Sequence, residues 1–286
     1  MANKIKELTD VLMDEFDEND HITFLTKEMD AGDLALANGY YEQAWDHYSK
    51  LYAYKGTTSE KTNYVRSNGA RRLCKLMQEI PTSHEFVSHL IKTDPDLVRR
   101  SRTKNISNDF ARKFIGRKYL VIAADDYNDV DAIVEYALNC VGKGHAKSFV
   151  FEYNDRDAQI GLQWANRLVN HHIDQYRAYG YMVRAIYHFA RYTKTKSSEE
   201  ATLFCDNVLE AKREYGLKNE YTLYFYAHMC ANPNFQHYNG GKHYNPKEGY
   251  KLYCQVVDTA QDPDLVASAR NIKNMLETKY PSKIGH

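Results

Sequence analysis

Residues Ala31 to Leu51 constrain the fold more than any other stretch of this chain. Small residues at Gly32, Ala35 and Ala44 let two helices approach closely, and Asn38-Gly39 supplies a left-handed turn that ends the first. Tyr41 and Tyr48 fill the gap between the two helices. The stretch therefore reads as an antiparallel helical hairpin with Ala44 at its closest approach.

In the tetratricopeptide-repeat family a small residue sits midway along the first helix and Gly-x-Tyr makes the turn. An Ala followed four residues later by an aromatic marks the second helix. Gly32, Gly39, Tyr41, Ala44 and Tyr48 occupy those places, and the hairpin resembles one such repeat. Ala132, Tyr136 and Gly144 repeat the spacing of Ala44, Tyr48 and Gly56, with Tyr127 where the turn glycine stood. A third copy starts at Ser197-Ser198-Glu199-Glu200 and continues through Ala201, Phe204, Cys205, Val208 and Leu209. The last, Asn239 to Tyr253, resembles the longer-loop Sel1-like repeat: Gly241, Gly249 and Tyr253 match, Asn245 stands for an Asp, and Leu252 for a Trp.

Spacing between the copies is irregular, which predicts a degenerate, insertion-bearing helical array. The expected fold is all-α, an α-solenoid of antiparallel helical hairpins over residues 25–286 as a single continuous array. Leu8, Val11, Leu12 and Phe16 predict an amphipathic helix over residues 1–24 in front of it. Thr57-Thr58-Ser59-Glu60, Pro81-Thr82-Ser83-His84-Glu85 and Asp94-Pro95-Asp96 are further helix starts. Asp125 to Asp129 reads as a polar turn, and a long helix is expected over Ile173 to Tyr192 with Thr193 to Lys196 as an insertion.

Six prolines and 14 glycines in 286 residues agree with a helical chain, and no apolar run is long enough for a membrane span or a signal peptide core. A cytoplasmic location is expected. The five cysteines are odd in number and far apart, so buried reduced thiols are expected and a structural zinc site is not. The signature motifs of nucleotide-binding loops, zinc proteases, serine hydrolases and dinucleotide enzymes are missing. His171-His172 and the pair His237 and His243 lack metal-ligand spacing. No enzymatic activity, metal or cofactor is expected.

Formal net charge is zero, yet the charges are unevenly placed. Arg177, Tyr181, Arg184, His188 and Arg191 are separated by 4, 3, 4 and 3 residues and share one stripe of the long helix. Guanidinium groups on such a stripe suit an acidic or phosphorylated segment. Arg99, Arg100, Arg102 and Lys104 open a basic run that reaches Lys118, with Phe110, Phe114 and Tyr119 interleaved, which would suit nucleic-acid phosphates.

Repeats of this kind are mainly interaction scaffolds, so the resemblance implies a non-enzymatic scaffold that binds a peptide or partner protein in its concave groove. The alternative is a regulator contacting nucleic acid through residues 99–118. In the chaperone-binding members a Lys and an Asn clamp a C-terminal carboxylate; Met29 and Asp33 stand in those places here.

Overall fold

The computed structural model describes residues 21–56, 58–142 and 155–284, and no strand occurs among them. The expected amphipathic helix before residue 21 and Gly144 of the second copy lie outside the described residues. The contacts divide the chain into two compact units, with the boundary between Ile133 and Val134.

Unit 1 begins with α1 (21–37) and continues through α2 (Tyr41–Tyr52), α3 (Ser59–Glu79), α4 (Glu85–Thr93), α5 (Pro95–Ser101) and α6 (Asn108–Val121). The α1–α2 hairpin forms as its residues require. Asn38 Nδ2 donates to the Leu34 carbonyl at 2.8 Å, and Gly39 takes a left-handed φ of 76°. A Cβ on Gly32 would lie 2.4 Å from the Tyr48 ring, so only glycine lets that ring lie across α1. Asp33 accepts from the Tyr48 hydroxyl at 2.6 Å and pairs with Arg72 of α3 at 3.1 Å.

Helices α3, α5 and α6 are each started by a side-chain oxygen answering a free backbone N–H, and α4 by the His84 ring nitrogen, which accepts the Phe86 N–H at 3.2 Å. Thr58 caps α3, Asp94 caps α5 through two N–H bonds of 3.0 Å, and Ser107 caps α6. The core combines Ala44, Tyr48 and Leu51 with Leu73, Leu76 and Met77 of α3, and with Phe86, Leu97 and Ile115. Burying a side chain of that size contributes about 1.5–3 kcal/mol, so packing rather than helix propensity holds the unit together.

Where a polar turn is expected after α6, the helix instead widens into a π turn, Ile122–Asp126. Asn128 then takes a left-handed φ of 53°, in the role that Gly39 has in the first hairpin. Asp129 accepts the Ala132 N–H at 2.9 Å and the Ser67 hydroxyl at 2.6 Å, tying the turn to α3. The unit boundary falls inside α7 (Val130–Cys140).

Unit 2 continues with α8 (Asp155–Leu168), α9 (Asp174–Thr195), α10 (Ser198–Tyr215), α11 (Glu220–Ala231), α12 (Pro246–Thr259), α13 (Pro263–Lys279) and the short α14 (Pro281–Ile284). Consecutive helices pack in pairs from α8 onward. Two of the contacts need glycine: a Cβ on Gly180 would lie 2.7 Å from Val169 N, and one on Gly249 2.8 Å from Ala231 N. Helix α9 runs through Thr195 and closes on Lys196 in left-handed conformation, so residues 193–195 are its last turn rather than an insertion. Phe189, Phe204, Phe225 and Phe235 form the aromatic centre, with ring centroids 5.1–5.9 Å apart. All five cysteines are reduced; four are buried and Cys254 is half-buried. Among the described residues no helix is long and apolar enough to cross a membrane, and no three His, Cys, Asp or Glu side chains group as a metal site.

Candidate functional site

An open groove in unit 1 is built from two helices with the same internal spacing. Helix α2 supplies Glu42, Trp45 and Asp46, and α4 supplies Phe86, His89 and Leu90; in each trio the second and third residues follow the first by 3 and 4 positions, which puts all three on one face. Thr93, Asp94 and Pro95 close one end, and the groove encloses about 510 Å³.

Its floor is aromatic. Trp45 meets the Phe86 ring edge-on at 5.7 Å and the Tyr119 ring at 6.0 Å, and His89 stacks on Phe86 at 6.2 Å. Burial pushes the Tyr119 phenol up to about 12. Asp94 at the closed end is engaged, through its cap and through Lys118 at 3.3 Å. Glu42 and Asp46 on the rim are exposed, and among the described residues no cation lies within ion-pair distance of either.

The arginine stripe of α9 is present as a stripe, with Met182, Val183 and Ile186 buried away from it and Tyr187 at its edge beside Arg191. Its cations, however, are answered from within the unit. Arg177 donates to Glu214 at 2.6 Å, to Asp174 at 2.5 Å, and to the carbonyls of His171 and His172 at 2.9 and 3.1 Å. Arg184 holds Asn166 Oδ1 at 2.6 Å and lies 5.7 Å from the Tyr181 ring centroid. Glu200 of α10 takes both His188, at 2.8 Å, and Arg191. Burial raises Glu200, but the bonds from His188 and Arg191 outweigh it and hold the carboxyl below its usual range; Arg177 does the same for Glu214. An anionic ligand at this stripe would compete with Glu200 and Glu214 for the same guanidinium faces.

The basic segment is similarly engaged. Arg99 pairs with Asp96 at 3.0 Å, Arg100 lies 4.7 Å over the Phe114 ring, and Lys113 pairs with Asp109 at 2.9 Å. Arg112 reaches back to the carbonyls of Met77 and Gln78 at 3.1 and 3.0 Å, satisfying the C-terminal end of α3. Arg102 and Lys104 are exposed at the end of α5. Met29 and Asp33 lie on α1, where Asp33 is committed to Tyr48 and Arg72.

Sequence reasoning placed no site at Trp45. The signal was there, as a tryptophan flanked by carboxylates 3 positions before and 1 after, but its aromatic partners come from α4 and α6. No protein-family model, no curated protein and no solved structure matches the chain.

Proposed function

We propose that the chain is a non-enzymatic helical scaffold, a degenerate relative of the tetratricopeptide and Sel1-like repeats, that binds a basic segment of a partner protein in the unit 1 groove. The observation that carries this reading is the pair of exposed carboxylates, Glu42 and Asp46, standing over an aromatic floor with no cation at ion-pair distance among the described residues. A lysine or arginine side chain entering there gains both an ion pair with the rim and the face of an indole, and each attraction is stronger where the groove excludes water. The helical pairs and the glycine contacts support the repeat assignment. The residues of the α9 stripe remain accessible in part, but their engagement with Glu200 and Glu214 favours the unit 1 groove for ligand capture.

Anisotropy of dye-labelled 12-residue peptides of net charge +4, 0 and −4 tests the proposal. The basic peptide is expected to bind with an affinity that falls as salt rises and to change Trp45 emission. Equal or tighter binding of the acidic peptide contradicts the reading, as does basic-peptide binding that Glu42→Gln with Asp46→Asn leaves unchanged.

A further inference from the structure

The basic segment of unit 1 is answered unevenly. Residues 94–118 carry eight cations against Asp94, Asp96 and Asp109, in a chain of zero net charge. All three carboxylates are taken, Asp94 and Asp96 by Lys118 at 3.3 and 2.9 Å and Asp109 by Lys113. Arg99 shares Asp96, and Arg112 is turned inward onto α3. Arg100, Arg102 and Lys104 are exposed, and among the described residues no carboxylate lies within ion-pair distance of any of them. Residues 99–105 are exposed throughout, so these three charges stand along one open connection between α5 and α6.

An aromatic stack begins beside them. The Arg100 guanidinium lies 4.7 Å from the centre of the Phe114 ring, and Phe114 lies nearly parallel to Phe110, with planes 15° and centroids 6.0 Å apart. The two rings are one turn apart on α6. Phe110 is 42% exposed whereas Phe114 is half-buried, so the outer ring is the open end of the stack. Ser107 Oγ accepts the Phe110 N–H at 3.2 Å, which holds the backbone that carries this ring. A lone exposed Phe needs no explanation, but this one follows directly on a connection with three unanswered cations. The surface therefore offers a flat apolar face and positive charge together. A nucleotide presents the complement, a base and a phosphate on one short unit; a single strand leaves its base faces free, while a duplex stacks them away. A bilayer is the poorer fit, because among the described residues Phe110 is the one large apolar side chain exposed in 94–118. An acidic peptide would meet the cations and leave the ring bare.

We propose that the connection 99–105 and Phe110 bind single-stranded nucleic acid, with a base continuing the Arg100, Phe114 and Phe110 stack and neighbouring phosphates met by Arg102 and Lys104. The proposal does not rest on the peptide groove. Anisotropy of dye-labelled 12-nucleotide strands of deoxythymidine and of uridine, a 12-base-pair duplex and a 12-residue polyglutamate tests it. Binding of either strand is expected, tighter than that of the duplex although the duplex is the denser polyanion, with log K falling by about 2 per tenfold rise in salt. Phe110→Ala should weaken the strands roughly tenfold with the salt slope unchanged, and Phe110→Tyr should keep the wild-type affinity. Arg102→Ser with Lys104→Ser should cut the slope by about 1.4. These substitutions replace exposed side chains, and circular dichroism checks that each variant stays helical. Glu42→Gln with Asp46→Asn should leave strand binding in place, which separates this surface from the peptide groove. Failure of both strands to bind at low salt overturns the proposal, as does equal or tighter binding of the duplex or the polyglutamate, or a strand affinity that Phe110→Ala leaves unchanged.

Discussion

The α9 stripe of unit 2 and the α2 rim of unit 1 carry the same kind of chemistry in opposite states. Both place charged and aromatic side chains one helical turn apart. On α9 the neighbouring helices supply counter-charges from Glu200 and Glu214 and an amide acceptor from Asn166, so the guanidinium groups hold helices together. On α2 no neighbour among the described residues supplies a cation for Glu42 or Asp46, although Lys118 is close enough to serve Asp94 at the end of the same groove. Spacing along one helix reveals that charges share a face, whereas only the partner helices decide whether that face is already satisfied. Charges answered internally act on stability, and charges left open act on binding.

The largest effect that separates the two regions is on acid stability, and it arises in the interior of unit 2. His228, with its pKa pushed down to about 4, binds no proton in the folded chain at mildly acid pH, while in the unfolded chain it titrates near 6.5. Stability is expected to fall as pH drops from 6.5 and to have lost about 3 kcal/mol on this account by pH 4. His171 and His243, also held low chiefly by burial, act in the same sense, so the difference between the wild-type chain and His228→Gln isolates the term. Denaturant unfolding at pH 7, 5.5 and 4.5 should show a steeper decline for the wild type; parallel declines would mean that His228 is protonated in the folded chain. Glu200 and Glu214, held low by their partners, lose their contribution only as pH falls below about 4.5.

Next in size is the hairpin that carries the groove. Ala44 is fully buried beside Trp45, and Ala44→Leu should overpack the α1–α2 contact by about 1–3 kcal/mol. Wild-type stability in that variant would show that the hairpin has room the packing denies.

A smaller pair of substitutions addresses the contrast itself. Glu200→Gln removes the charge that answers Arg191 and His188 and replaces one of the two accepting oxygens by an amide NH2, and should cost about 1–2 kcal/mol. Glu42→Gln, which takes a charge from the open rim, should change stability by less than about 0.5 kcal/mol. Similar losses from the two variants would erase the distinction between answered and open charges.

Much of the scaffold was legible in the sequence because it rests on local signals. The first hairpin followed from Gly32, Asn38-Gly39 and Ala44, and the helix starts from Thr58, Asp94 and Ser197, each of which caps its helix. The π turn was not legible, since Asn128 supplies the left-handed residue one position after the Tyr127 that stands in the glycine's place. The unit boundary left no compositional trace because it falls within α7. The α9 stripe was read correctly as a face, but Glu200 and Glu214 lie 9 to 37 residues from the arginines they bind, beyond any helical period. The groove is likewise assembled from separate helices: the spacing around Trp45 marks a face, but its aromatic partners on α4 and α6 lie far away in sequence.

The most direct test of the central claim compares two double charge reversals in one binding assay. Glu42→Lys with Asp46→Lys is placed beside Arg184→Glu with Arg191→Glu, and anisotropy of the +4 peptide is measured for each at constant ionic strength. The unit 1 groove predicts that the first pair abolishes binding while circular dichroism stays helical, and that the second leaves the affinity within about twofold, with only stability reduced. Full binding of the +4 peptide by the Glu42→Lys, Asp46→Lys pair would contradict the account.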